Sequence, residues 1–184
     1  MDLERLLTSR SSRANVVPEM KLSALELFVT FGGVGRAPKA PGTFGTLAAI
    51  PLAWFAALYL GEKGYLIFAT ALLFASIFAC ELYERHGKSR GQGHDAGHIV
   101  IDEVVGYLIA FVWLPLTWQS ALGAFLFFRF FDIVKPYPIS VLDEKVRGGL
   151  GVMVDDVAAG LAANIVLQAI ASQTLLLGAY GVFR

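Results

Sequence analysis

The chain has 184 residues, of which 56% are hydrophobic and only 16% are charged, whereas soluble domains carry roughly 25% charged residues. This composition indicates contact with lipid. The length indicates one domain with a sizeable core. The formal net charge is zero, which excludes the general basic field that attracts nucleic acid. The single cysteine, Cys80, cannot form an internal disulfide and is predicted to be a packing residue, because free cysteines are mostly buried and inert.

The first segment of the chain is polar and basic. It has no apolar stretch before a small-residue cleavage site, so it does not fit a secretory signal. We therefore predict an N-terminal extension over residues 1–21 and a single helical domain over residues 22–184. The basic residues of the extension are Arg5, Arg10, Arg13 and Lys21.

Four later segments contain no charged residue: residues 44–60, 64–80, 104–128 and 157–180. The first two are at the lower length limit for a membrane-spanning helix, and the short sequence between them predicts a helical hairpin. The other two are long enough to cross a bilayer with some tilt. The predicted fold is therefore all-α, a compact multi-helical membrane-associated bundle.

Residues 104–128 pose a problem of topology. As one straight span they would place Asp102 and Asp132 on opposite sides of the membrane, where the two carboxylates could not bind the same metal ion. Pro115 lies near the middle of the segment, and proline ends or kinks a helix. We predict a re-entrant or short helical hairpin, which returns both carboxylates to one side. Lysine and arginine cluster on that side, so the positive-inside rule predicts that it faces the cytoplasm.

A Gly/Pro/Thr-rich stretch over residues 41–46 precedes the first apolar segment. Thr43 or Thr46 is placed to cap the following helix, and backbone amides near Gly45 suit a phosphate group. An ordinary cap and turn is the alternative, because the stretch lacks the Lys-Ser/Thr ending of a nucleotide-binding P-loop.

His94, Asp95 and His98 follow a second glycine-rich stretch. Two histidines four apart are a spacing for zinc on a helix, but the surrounding glycines disfavour a helix here. We instead predict that His94 or Asp95 contacts a phosphate or a metal from a loop. A solvated turn before the next helix stays open for His98.

Carboxylates border the apolar segments in three separate places: Asp102 with Glu103, Asp132, and Asp155 with Asp156. A buried carboxylate is costly unless it finds a cation, a metal or a proton. A common divalent metal satisfies all five, and oxygen ligands without cysteine favour Mg²⁺ over zinc or copper.

Two further patterns accompany the carboxylates. Arg129, Asp132 and Lys135 lie three residues apart, on one helical face, so the two cations are predicted to bind a substrate phosphate beside the metal. An Arg129–Asp132 ion pair alone is the structural alternative. Asn164 and Gln168 continue the four-residue repeat that begins at Asp156 and are predicted to be mainly structural.

Four blocks of sequence resemble the phosphatidylglycerophosphatase A family. They are PGTFGTLA at residues 41–48, HD at 94–95 followed by DEVVG at 102–106, FRFFDIVKP at 128–136, and GGLGVMVDD at 148–156. The resemblance implies an all-helical, Mg²⁺-dependent bacterial lipid phosphatase that converts phosphatidylglycerophosphate to phosphatidylglycerol and phosphate. The family includes membrane-embedded and soluble members, and the composition of this chain favours embedding in the cytoplasmic membrane as a multi-pass protein.

With this resemblance, Asp102, Glu103, Asp132, Asp155 and Asp156 are predicted metal ligands and catalytic residues, with Asp95 as a further catalytic residue. The predicted phosphate-binding residues are Arg129, Lys135, Thr43, Gly45, Thr46 and His94. Attack by water and an aspartyl-phosphate intermediate remain alternatives, and a homo-oligomeric state is left open. The rival function is a small cation transporter, since intramembrane acids also mark ion pathways.

Overall fold

The computed structural model describes residues 19–89, 96–146 and 148–173. Within them lie six α-helices: α1 (Glu19–Val29), α2 (Pro41–Ser89), α3 (Ile101–Ala110), α4 (Trp118–Val134), α5 (Ile139–Lys145) and α6 (Gly148–Gln173). Short 3-10 helices cover Val34–Arg36 and Ala96–His98. The described part of the chain contains no strand, so the prediction of an all-α fold is confirmed.

The chain reverses direction inside α2. Gly61 has φ 64° and ψ −178°, a conformation open to glycine but not to residues with a Cβ. Gly42, before the reversal, lies against Glu103 at the start of α3, whereas Tyr65, just after it, donates a 2.8 Å hydrogen bond to the carbonyl of Leu108 near the end of α3. The second limb returns to the first end, where the Glu81 carboxylate accepts a 2.8 Å hydrogen bond from the Gly149 amide. The predicted hairpin is therefore present, as limbs 41–60 and 62–89 of α2.

Helices α3 and α4 form the second predicted hairpin. Glu103 faces Arg129 at one end, and the Tyr107 hydroxyl donates a 3.1 Å hydrogen bond to the carbonyl of Ala121 further along, so the two helices are antiparallel. The hairpin is confirmed, but α3 ends at Ala110, before the predicted break at Pro115. Side chains of α6 fix that end: Asn164 Nδ2 donates to the Ala110 and Val112 carbonyls at 3.1 and 2.7 Å. A helix end buried in protein needs such partners.

Helix α6 differs from its prediction at its beginning. The uncharged segment begins at residue 157, and the glycines before Asp155 are typical of a loop, yet helix α6 begins at Gly148. A Cβ on Gly149 would overlap the backbone of the second α2 limb at Ile77 and Glu81. The glycines therefore allow two helices to touch, and Asp155 and Asp156 lie two turns inside α6. The predicted end of this segment, residues 174–180, lies outside the described residues.

Two helices, Pro41–His86 and Gly148–Ser172, are long and apolar enough to cross a membrane. Large apolar side chains remain exposed on the outer surfaces of α2, α4 and α6, which supports the membrane-associated class. Cys80 is a buried free cysteine, as predicted for a packing residue. Helix α1 begins at Glu19, inside the predicted extension, whose residues 1–18 lie outside the described chain. The division into extension and domain remains a prediction.

A cavity of about 340 Å³ opens at the other end of the bundle, between the reversal at Gly61 and the loop over residues 113–117. Its wall includes Tyr65 and Glu62. Because Gly61 is separated from Gly42 by most of the first α2 limb, this cavity is about 30 Å from the carboxylates at 1.5 Å of rise per residue. It takes no part in the site described next.

Candidate active site

The five predicted carboxylates converge at one end of the bundle from three helices. Oxygens of Asp102, Glu103 and Asp156 lie within 4.8 Å of one another, and so do oxygens of Asp132, Asp155 and Asp156. Asp156 belongs to both groups and is only 3% exposed, so it joins them into one cluster. The sequence predicted that these five side chains lie together on one side, and the structure brings them together there.

Glycines on facing helices bring the carboxylates together. A Cβ on Gly160 of α6 would overlap the carbonyl of Gly106 on α3, and a Cβ on Gly106 would stand 2.9 Å from the Asp156 carbonyl. The backbones of α3 and α6 are therefore in direct contact, as small residues permit. This contact places Asp156 beside the first turn of α3, where Asp102 and Glu103 lie. Because α4 runs antiparallel to α3, its last turn lies at the same end and supplies Asp132.

The cluster fits a divalent metal. Glu103 Oε2 and Asp156 Oδ1 are buried and have no hydrogen-bond partner within the described residues, and a buried oxygen without a partner is costly. A hard cation bound between them would satisfy both oxygens. Every candidate ligand is a carboxylate oxygen, the donor type that suits Mg²⁺, Ca²⁺ or Mn²⁺. The described residues thus hold a cluster able to bind a metal, of an identity that the geometry leaves open.

The electrostatics at the start of α3 agree with this assignment. Burial, followed by the neighbouring charge of Glu103, raises the pKa of Asp102 well above its usual range. Burial likewise raises the pKa of Glu103, while the hydrogen bond from Asp102 and the charge of Arg129 act in the opposite direction. Both residues lie outside the two candidate spans. Without a metal, burial therefore favours the protonated forms of Asp102 and Glu103.

Arg129 lies at the centre of the predicted cationic group. Its Nη1 is 2.6 Å from Asp132 Oδ2 and 4.0 Å from Glu103 Oε1, so the ion pair with Asp132, which was the structural alternative for this spacing, is present. Its Nη2 donates to Thr43 Oγ1 at 3.5 Å, which links α4 to the first α2 limb. The buried Nε atom has no partner among the described residues, whereas Nη1 is occupied by the ion pair with Asp132. Arg129 thus keeps donor capacity for an anion beside the carboxylates.

Lys135 lies at the C-terminal end of α4 in a left-handed conformation, φ 43°. Its Nζ donates to Asp155 Oδ2 at 2.6 Å. Binding of substrate phosphate by Lys135 stays a prediction, whereas the structure shows that its ammonium group neutralises one carboxylate of the cluster. The spacing within α4 did not reveal this partner, because Asp155 belongs to a different helix.

The stretch over residues 41–46 is helical from Pro41 onward, so the predicted loop is the first turn of α2. Thr43 faces Arg129, but the Thr46 hydroxyl is buried and donates to the Gly42 carbonyl at 2.9 Å, and Gly45 packs against Val100. Thr46 therefore does not cap the helix. Proline is favoured at the first helical position, which explains why a Pro-Gly-Thr sequence starts a helix here. Among the predicted phosphate ligands of this stretch, only the Thr43 side chain contacts Arg129.

The histidine motif is only partly described. His94 and Asp95 lie outside the described residues, so their predicted roles stay predictions. His98 ends a 3-10 helix, and its Nδ1 is 3.1 Å from the Gly35 carbonyl. This contact ties the segment before α3 to the turn before α2.

Two residues of the site were missed at the level of sequence. Gly42 lies so close to Glu103 and Arg129 that a Cβ there would overlap the carboxylate. Glu81 anchors the first turn of α6 through the Gly149 amide. Gly42 is part of a noticed motif and was a fair candidate, whereas Glu81 follows an apolar run with no local signal of its partner.

The fold and the site define a class: an all-α, membrane-associated protein with a carboxylate cluster suited to a divalent metal. The sequence model of the family described as phosphatidylglycerophosphatase A matches residues 27–171. The chain belongs to this family, a family of phosphatases.

Three relatives are similar over most of the chain. A phosphatidylglycerophosphatase A of Haemophilus influenzae is 45% identical over 81% of this chain and 90% of its own length. One of Escherichia coli is 38% identical over 73% of this chain and 76% of its own length. A protein of Bacteroides thetaiotaomicron, provisionally named a phosphatidylinositol-3-phosphatase, is 35% identical over 73% of this chain and 86% of its own length. No solved structure matches the chain.

Proposed function

We propose that this protein is a Mg²⁺-dependent phosphatase that hydrolyses phosphatidylglycerophosphate to phosphatidylglycerol and inorganic phosphate. The observation that carries the proposal is the convergence of five carboxylates, from α3, α4 and α6, beside Arg129, whose buried Nε has no partner in the described chain. The family membership and the names of the two phosphatidylglycerophosphatase A relatives supply the substrate. They also favour a phosphatase over the predicted alternative, a cation transporter.

The proposed ligands of the ion are Asp102, Glu103, Asp132, Asp155 and Asp156. Bound Mg²⁺ would supply positive charge and Lewis acidity to the phosphoryl oxygens. If all five carboxylates ionise, the positive charges of Arg129 and Lys135 leave three negative charges in the cluster. Such an excess repels a phosphate unless cations compensate it, which is why the proposal needs the metal as well as Arg129.

The chain's own groups orient the substrate. The Nε atom of Arg129 is a buried donor without a partner in the described chain, and it would bind a phosphate oxygen. The Thr43 hydroxyl, at the positively polarised first turn of α2, would add a further contact. Gly42 keeps space between this turn and Glu103. Together these groups fix the phosphorus beside the carboxylates, where positioning lowers the barrier.

In the hydrolysis, the oxygen of water bonds to phosphorus, the ester P–O bond breaks, and the glycerol oxygen leaves with a proton. An ionised carboxylate of the cluster accepts the proton that the water loses. His94 and Asp95, which lie outside the described residues, are the predicted donors to the leaving oxygen. Rapid-quench measurement of a phosphate burst would separate direct attack by water from an aspartyl-phosphate route.

We place the site at the cytoplasmic face of a bacterial inner membrane. The carboxylate end of the fold carries Arg36, Lys39 and Arg85. At the other end, Lys63 lies beside the α2 reversal. This distribution follows the positive-inside rule. A membrane-impermeant maleimide should label Lys63→Cys in intact cells but not Lys39→Cys. Labelling of Lys39→Cys alone would reverse the proposed orientation.

The function is tested by phosphate release from phosphatidylglycerophosphate by the purified full-length chain in mixed micelles. We expect activity with Mg²⁺ and none after EDTA treatment. Asp132→Asn should lower kcat by at least about 100-fold, since electrostatic stabilisers commonly contribute that much. The matched control is Glu62→Gln at the opposite end, which should keep full activity. Phosphatidylinositol 3-phosphate, offered separately, tests the substrate named for the Bacteroides relative.

Full activity of the wild type in excess EDTA would contradict the metal requirement. Release from phosphatidylinositol 3-phosphate alone would contradict the proposed substrate while leaving the phosphatase chemistry intact.

A further inference from the structure

We propose that one acyl chain of the lipid substrate lies along an apolar strip between the first α2 limb and α4, directly beside Arg129. This inference rests on the proposed function, because it assumes a lipid whose phosphate binds at the carboxylate end. It adds a lipid-binding surface and a route by which the substrate reaches the site from the membrane.

The strip begins where the two helices meet. The 3.5 Å contact between Arg129 Nη2 and Thr43 Oγ1 joins α4 to the first α2 limb at the carboxylate end. An α-helix returns to the same face after three or four, seven and eleven residues. Counting forward from Thr43 therefore reaches Leu47, Ile50 and Trp54. Counting backward from Arg129 reaches the residues that form the opposite wall: Leu126, Phe125, Leu122 and Trp118.

Side chains along these two faces are apolar and differ in exposure. Ile50, Trp54 and Phe125 are half-buried and pack against the core, whereas Leu47 and Leu122 are 43% and 47% exposed. In the proposed strip the first three form the floor and the last two form the edges. A large exposed apolar surface is unfavourable in water and marks a site of contact with another apolar body.

The chemistry of the strip selects an acyl chain. Residues 44–60 and 104–128 carry no charge, so no ion pair is available to a peptide or a nucleic acid within the strip. The charge lies at one end only, where the buried Nε of Arg129 has no partner in the described chain. A phospholipid phosphate has the same arrangement, an anionic head joined to an apolar tail. From Thr43 to Trp54 the strip is about 16 Å long at 1.5 Å per residue, enough for a large part of one chain.

Two matched pairs of variants test the strip. Leu47→Trp and Leu122→Trp would fill it, whereas Leu66→Trp and Leu161→Trp place the same side chain on other exposed surfaces. Leu66 and Leu161 are 41% and 52% exposed, close to their partners. The substrates are dioleoyl phosphatidylglycerophosphate and its deacylated headgroup, glycerophosphoglycerophosphate.

We expect the strip variants to raise KM for the dioleoyl lipid by roughly tenfold with kcat little changed, as when binding shared by ground and transition states is lost. Activity on the deacylated headgroup should stay at the wild-type level in all four variants. Equal losses on both substrates would indicate damage to the site, and no loss on either would leave the strip without a role. Both results overturn the inference.

A second measurement does not depend on turnover. EDTA-treated protein in vesicles is photolabelled with phosphatidylglycerophosphate that carries a diazirine in the middle of one acyl chain, and the labelled peptides are mapped by mass spectrometry. Labelling competed by unlabelled lipid should concentrate in residues 47–54 and 118–126. A uniform distribution over α2, α4 and α6 would refute the strip even if the enzyme is active. Localised labelling, combined with no phosphate release when Mg²⁺ is restored, would instead refute the proposed function alone.

Discussion

Gly106→Ala tests whether the close approach of α3 and α6 assembles the site. The new Cβ would stand 2.5 and 2.7 Å from two ring carbons of Phe128 and 2.9 Å from the Asp156 carbonyl. Favourable contact requires about 3.5–4.0 Å between carbon atoms, so the ring must move by about 1 Å and α6 by about 0.5 Å. Overpacking of this kind destabilises a protein by about 1–3 kcal/mol. The same shift moves Asp156 away from Asp102 and Glu103.

The assay has three readouts: the thermal unfolding midpoint, the Mg²⁺ affinity by calorimetry, and phosphate release. We expect a lower midpoint and a Mg²⁺ affinity weakened by about 10–100-fold, as when residues that orient metal ligands are lost. Gly97→Ala is the control, because a Cβ at Gly97 would meet no atom within 4 Å. Adding Phe128→Leu to Gly106→Ala relieves the ring contact but not the Asp156 contact, so stability should recover more than Mg²⁺ affinity. Wild-type affinity in Gly106→Ala would refute the reasoning.

Three further predictions follow from the same geometry. Lys135→Met leaves Asp155 without its 2.6 Å partner and should lower the free energy of unfolding by about 1–3 kcal/mol. Chemical denaturation should show a smaller loss with Mg²⁺ than without it. Equal losses under the two conditions would contradict a shared site. Asn164→Leu removes two hydrogen bonds at the end of α3 and should lower the unfolding midpoint while kcat stays near wild type, whereas a selective loss of kcat would be inconsistent with a structural role. Because Asp102 and Glu103 have raised pKa values, the folded metal-free protein holds more protons than the unfolded chain above about pH 4. Its unfolding midpoint should therefore fall as pH rises above that value, while the stabilisation by Mg²⁺ should grow. A Mg²⁺ effect independent of pH would contradict this.

Helical hairpins and the convergence of carboxylates were predictable because local signals determine them. Pro115 within an uncharged segment predicted that the chain turns back, and the hairpin follows. The charges at the two segment ends then had to lie on one side. The spacing of Arg129 and Asp132 likewise placed them on one helical face, where an ion pair was the structural alternative, since residues three apart on a helix are neighbours.

Contacts between distant segments were not predictable from one sequence. The glycines from Gly148 onward are typical of a loop, but they form a helix because the second α2 limb leaves no space for a Cβ at Gly149. The end of α3 is fixed by Asn164 rather than by Pro115. Lys135 pairs with Asp155 across two helices. In each case the partner lies far away in sequence, and tertiary packing overrides the local preference.

The central claim is that the five carboxylates bind the ion on which phosphatase activity depends. Its most direct test is a titration of metal-depleted protein with Mn²⁺, followed by electron paramagnetic resonance, in parallel with phosphate release from phosphatidylglycerophosphate. The wild type should bind the ion and recover activity over the same concentration range. Asp156→Asn, which alters the ligand common to both groups, should lose both together. Activity of Asp156→Asn at the wild-type level, or tight Mn²⁺ binding that this substitution leaves unchanged, would contradict the account.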